Sequence, residues 1–220
     1  MGILENHLMD KCDKNLPGVL NVGIQEMQRY FDRNVRNHEL FGMREARNSW
    51  GPIRNALANV YVRKTLDLSS VTYDVEENHV TSKKNSYIHF TYIVNGATVN
   101  ICKTSSGIYF PRKAIYRQIE SQKNKDFTLF EDPDKILKDA KNSTDEANLL
   151  LTYGGFNYDL SHVTLGLPVA GELRWLDTMD IKNANYLMKS NEEIINELNL
   201  TLTDEAEEIV RKGIEKGNGR

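Results

Sequence analysis

Asp180-Ile181-Lys182, with Asp177 three residues earlier, has the local form of a metal-assisted nuclease. Two such carboxylates can hold Mg²⁺ while the lysine steadies the attacking water or the phosphate. Mg²⁺ is the one cofactor implied, and only under this reading; otherwise none is expected. A second constellation is cationic. Arg29, Arg33 and Arg36 are spaced i, i+4, i+7, so a helix carries them on one face. Arg47 and Arg54 follow, interleaved with Trp50 and Tyr61, and the stretch from Gln25 to Leu66 holds an excess of four positive charges. A further cluster, Lys103, Arg112, Lys113, Arg117, Lys123 and Lys125, has Tyr109, Phe110 and Tyr116 nearby. Guanidinium groups beside stacking rings suit nucleic acid.

Other chemistries are set aside. The chain has no Walker loop, no G-x-G-x-x-G, no G-x-S-x-G and no H-E-x-x-H. His89 and Cys102 oppose each other across a predicted hairpin, but a zinc site needs two more ligands and none has motif spacing. They read as a half-buried imidazole beside a small apolar thiol. With two cysteines in 220 residues a disulfide framework is excluded. Lys plus Arg is 28 against 31 for Asp plus Glu, so nucleic-acid binding would rest on a local basic patch, not on overall charge. Apolar runs are too short to span a bilayer, and no membrane partner is expected. Met1 to Asn6 carries no basic segment followed by an apolar one, so a cytoplasmic location is expected.

The elements that must position these groups follow from periodicity. Residues 1–65 read as helical, with one helix over Val19 to Leu40 and another opened by Pro52, its inward face taken as Ile53, Leu57, Val60 and Lys64. Asn95-Gly96 between alternating runs predicts a two-residue hairpin with Val94 opposite Ala97, Tyr92 opposite Val99 and Phe90 opposite Ile101. Val71 to Val75 predicts another strand. Arg112 to Lys125 reads as a helix with Ala114, Ile115 and Ile119 inward, and 134–141 as a short helix. Leu149 to Tyr153 predicts a buried strand, and 162–167 with 172–177 a second hairpin. Ser190 and Thr203 open two C-terminal helices in a segment with an acidic excess of four. The fold class is α+β, a mainly antiparallel sheet with an N-terminal helical unit and C-terminal helices. A single domain over 1–220 is expected, with a seam near 66–70 between a helical unit over 1–65 and a sheet with helices over 71–220.

Two resemblances add to this. Asp126-Phe127-Thr128-Leu129-Phe130 resembles the clamp-binding pentapeptide Gln-Leu-(Ser/Asp)-Leu-Phe of bacterial replication proteins, with Asp for Gln and Phe for Leu. It marks Phe127, Leu129 and Phe130 as partner-binding anchors. The segment 149–180, with Leu-Leu-Leu-Thr-Tyr-Gly-Gly, Val-Thr-Leu-Gly-Leu-Pro and Trp-Leu-Asp, resembles uncharacterised bacterial proteins of prophage and toxin–antitoxin neighbourhoods. It implies no residue roles. The expectation is a bacterial or phage protein that binds a macromolecule, nucleic acid or protein, as a toxin or defence factor. Its contact residues are Arg29, Arg33, Arg36, Arg47, Arg54, Arg112, Lys113 and Arg117. The alternatives are the nuclease and a structural or regulatory protein-interaction module.

Overall fold

Pro17 sits at the start of α2 (Leu16–Phe31), where its missing N–H costs nothing. Leu16, Val19, Leu20, Ile24, Met27 and Phe31 then recur at helical spacing, and all are buried. The helix ends earlier than expected: Asp32–Arg36 is a π turn, and residues 37–44 are turns and bends. A short 3-10 turn, Glu45–Ser49, feeds α3 (Trp50–Asp67). The inward face of α3 is Trp50, Arg54, Ala58, Val62 and Leu66, whereas Val60 points outward. A shorter helix, α1 (Ile3–Lys11), precedes them. Its Leu4 N–H donates to the Asp177 carboxylate at 2.9 Å, a negative charge where the helix dipole favours one.

This computed structural model describes residues 2–81, 86–128 and 146–186. The helices expected over 134–141 and after Ser190 lie outside the described residues. Six strands form one sheet in chain order: β1 (Tyr73–Thr81), β2 (Ser86–Val94), β3 (Ala97–Thr104), β4 (Ala147–Gly154), β5 (His162–Pro168) and β6 (Trp175–Asp180). All neighbours are antiparallel except β3 and β4, which run parallel. The fold is α+β. One core lies under both the N-terminal helices and the sheet, joining Leu20, Ile24, Phe31 and Val62 to Tyr92, Val99, Leu151 and Leu165. The described residues form one unit that ends at Tyr186. No described helix is long and apolar enough to cross a membrane.

The first hairpin has the expected register for Val94 with Ala97 and Tyr92 with Val99, while the expected pair Phe90 and Ile101 falls beyond the end of the β2–β3 ladder; Gly96 at φ 74° supplies the left-handed turn. The sheet's other face is polar yet buried, because a second layer covers it. That layer is α4 (Ile115–Glu120), a 3-10 turn over Ser121–Asn124, and α5 (Lys125–Thr128). Asn124 donates from its carboxamide to the Asn148 and Pro168 carbonyls at 2.9 and 2.8 Å and accepts from Asn148 N–H at 2.7 Å. The expected inward face of the 112–125 helix is therefore reversed. Ile115 and Ile119 are 73% and 65% exposed, and the buried positions are Ser121 and Asn124. A polar surface beneath selects polar partners, since each buried carboxamide and hydroxyl must be satisfied.

Gly96→Ala tests the turn. A Cβ there meets the Lys11 carbonyl and sits at a φ that alanine disfavours. We expect a loss of about 2 kcal/mol or more, read as a lower urea midpoint at unchanged m.

Candidate functional site

β2 and β3 pair only from the turn to Thr91 and Asn100. Beyond that point β2 continues with β1, His89 opposite Asn78, while β3 continues to Thr104 with β4. The strands part, and Asn100 sits at the fork. Its carboxamide donates to Thr91 Oγ1 at 2.9 Å and accepts from Asn148 Nδ2 at 3.2 Å. The expected facing pair His89 and Cys102 lies on the two diverging arms, beyond the end of the β2–β3 ladder.

A cleft of about 940 Å³ opens at this fork. Pro52, Asn55 and Asn59 of α3 line one wall, and Ile101 to Thr104 of β3 form the floor. Tyr109, Phe110, Arg112, Tyr116 and Arg117 form the opposite wall, and Gly155 closes one end. Residues 105–114 are anchored as an arm over the polar face. Phe110 packs on Trp175 with ring centroids 4.6 Å apart. Arg117 bonds the Arg112 carbonyl and donates to the Tyr116 hydroxyl at 2.7 Å and to the Cys102 sulfur at 3.4 Å. The Tyr116 ring stacks on His89 at 4.0 Å, and His89 Nε2 is 3.4 Å from Glu120.

The charge of the cleft is one-sided. Among its described lining residues are Lys103, Arg112 and Arg117 and no Asp or Glu. Lys103 is held below its ordinary pKa first by burial and then by the Arg54 guanidinium, and its Nζ stands 4.3 Å over the Tyr158 ring. Burial pushes the Cys102 thiol up, against an opposing pull from Arg117. Beside the lining residue Thr104, His162 Nε2 lies 2.8 Å from Thr104 Oγ1 and its Nδ1 lies 3.2 Å from Ser161 Oγ. Burial lowers the His162 pKa, with Asp180 opposing.

The structure sorts the expected contact residues sharply. Arg112 and Arg117 line the cleft, with Lys113 exposed on the arm beside them. The N-terminal arginines do not form one surface. Arg54 has no exposed area, so it cannot contact a macromolecule; it bonds Gln28 and lies over the Phe31 and Tyr153 rings at 5.5 and 5.6 Å. Arg29 pairs with Glu26, and Arg36 with Asp32 and Asp159. Arg33 and Arg47 are exposed, with Arg47 over the Trp50 ring at 5.5 Å. Periodicity places a residue on a helix face but does not say whether an arginine snorkels, pairs or is buried.

The three nuclease residues are not brought together. Asp177 pairs in register with Leu167 and Asp180 with Thr164, so alternation puts them on opposite faces of β6. Asp177 holds the start of α1, and Lys182 lies past the strand, donating to the Ser161 carbonyl at 3.1 Å. Among the described residues no group of three His, Cys, Asp or Glu could hold a metal. Phe127 is not an exposed anchor: it is half-buried, packed on the core and edge-on to His7 at 5.0 Å. Leu129 and Phe130 lie outside the described residues. Sequence reasoning missed Asn55, Thr104 and Gly155 of the lining, of which only the Gly154-Gly155 pair carried a local signal.

Two outcomes check these environments. At pH 8 neither cysteine should be alkylated by iodoacetamide in the native protein, because Cys12 is raised to about 11 and Cys102 is raised as well; mass spectrometry should show both modified only after unfolding. His162 titrates below its ordinary 6.5 when folded, so the unfolded chain binds more protons just beneath that pH. Stability is then complete above 6.5 and lost as pH falls toward the folded value, and His162→Gln should remove that share of the slope in urea titrations from pH 7 to 5. No protein-family model, curated protein or solved structure matches this chain.

Proposed function

We propose that the cleft binds single-stranded nucleic acid. The observation that carries this reading is the lining: Lys103, Arg112 and Arg117, with Tyr109 63% exposed and no acid among the described lining residues. A phosphate backbone needs cations along a groove, and unpaired bases need ring faces, which together give affinity tolerant of sequence. The expectation of a cytoplasmic bacterial or phage protein acting on a macromolecule thereby narrows to one ligand class and one surface. The arginine face of α2 drops out of it.

A second reading has its own observation. Ile108, Ile115 and Ile119 are strongly exposed on and beside the arm, as apolar anchors for a protein partner would be. It separates from the first by salt dependence and by which residues matter.

Fluorescence anisotropy with a labelled single-stranded oligonucleotide tests the proposal. Binding should weaken as salt rises, with log K falling by roughly 0.7 per phosphate contact for each tenfold rise in salt. The double variant Lys103→Gln, Arg112→Gln should weaken binding and flatten that slope by about two contacts' worth, whereas Arg29→Gln should change neither. Absence of binding to the wild-type protein at low salt overturns the reading.

A further inference from the structure

The loop from Gly154 to Ser161, between β4 and β5, is strained and clamped. Gly154 has φ 150°, and a Cβ there would run into the Thr104 carbonyl. Asn157 and Tyr158 follow with φ of 49° and 65°, two successive side-chain-bearing residues in the left-handed region. The surroundings hold them there. Arg36 donates to the Asn157 carbonyl at 2.5 Å and to Asp159 at 2.9 Å, and Gln28 donates to the Tyr158 carbonyl at 3.2 Å. Ser161 N–H closes the loop on the Gly154 carbonyl at 2.8 Å. The Tyr158 ring is packed by Trp50 at 5.2 Å and covered by Lys103.

One side chain of this loop is left out. Phe156 is 91% exposed, more than any other large apolar residue described. A connection alone needs neither the strain nor a bare phenyl ring, which loses favourable burial in water. Its neighbour Gly155 lines the cleft, so the backbone that carries this ring lies beside the cationic groove.

We propose that Phe156 is a stacking platform for an unpaired base of the strand whose phosphates lie on Lys103 and Arg112; this rests on the nucleic-acid reading above. A ring carried on a loop whose backbone is already held costs little backbone entropy to stack, and every base offers a π face, so the platform is indifferent to sequence. Arg36 acts as a positioning residue that holds the loop.

The test uses the full chain and short oligonucleotides carrying 2-aminopurine, as RNA and as DNA of one sequence. Wild type should quench the probe at one position in the strand. Phe156→Ala should abolish that quenching and weaken binding roughly tenfold or more, with the salt slope unchanged because no charge is lost. Phe156→Trp should restore both. Whichever sugar gives the stronger quenching identifies the natural strand. If Phe156→Ala binds and quenches like wild type, the platform is wrong while the nucleic-acid reading stands. If wild type binds neither strand at low salt, that reading fails and the platform falls with it. An unchanged melting temperature in Phe156→Ala, expected for so exposed a side chain, keeps either result interpretable.

Discussion

A strand can pair on both sides only while its neighbours follow it. β2 follows β3 for four residues from the turn and otherwise stays with β1, and beyond Asn100 β3 keeps a ladder with β4 alone. The fork is stable because Asn100 uses its side chain where the backbone ladder ends, bonding Thr91 on one arm and Asn148 on the next strand. Buried carboxamides are costly to leave unmade, so this relay fixes the divergence in place. The cleft, its floor on β3 and the arm over the polar face all depend on it.

Electrostatics is then a matter of placement rather than of total charge. A chain with a formal charge of −3 still lines one cleft with cations, because its acids are used elsewhere. Asp177 holds the start of α1, Asp32 and Asp159 engage Arg36, and Glu120 faces His89 and Thr91. Arg54 adds to the field without touching the cleft. Buried between rings, with no carboxylate in ion-pair reach among the described residues, its charge is poorly screened and is felt at Lys103.

The hairpin around Asn95-Gly96 was legible because turn chemistry and strand alternation agree there, and α2 was legible from its apolar spacing; α3 was legible as a helix, but its inward face was misread because that face includes the buried Arg54. The segment after Pro111 was not. Its inward residues are polar and its isoleucines face water, so a rule that sends apolar residues inward reverses it. The parallel pairing of β3 with β4 left no local trace, because it joins strands separated by more than forty residues of chain. Of the site, the arm's basic and aromatic cluster was visible in the sequence. Asn55, Thr104 and Gly155 were not, since each enters the cleft from a different element.

Strand order bears on how the chain assembles. β1, β2 and β3 form one meander, β4, β5 and β6 another, and within each the connections are short and the pairing antiparallel. Only the β3–β4 seam requires closure of a long intervening segment, and non-local parallel pairing is slow to nucleate. The two meanders can therefore ripen independently and meet late, with the Asn148 carboxamide, bonded to Thr98 and Asn100, as a latch across the joint.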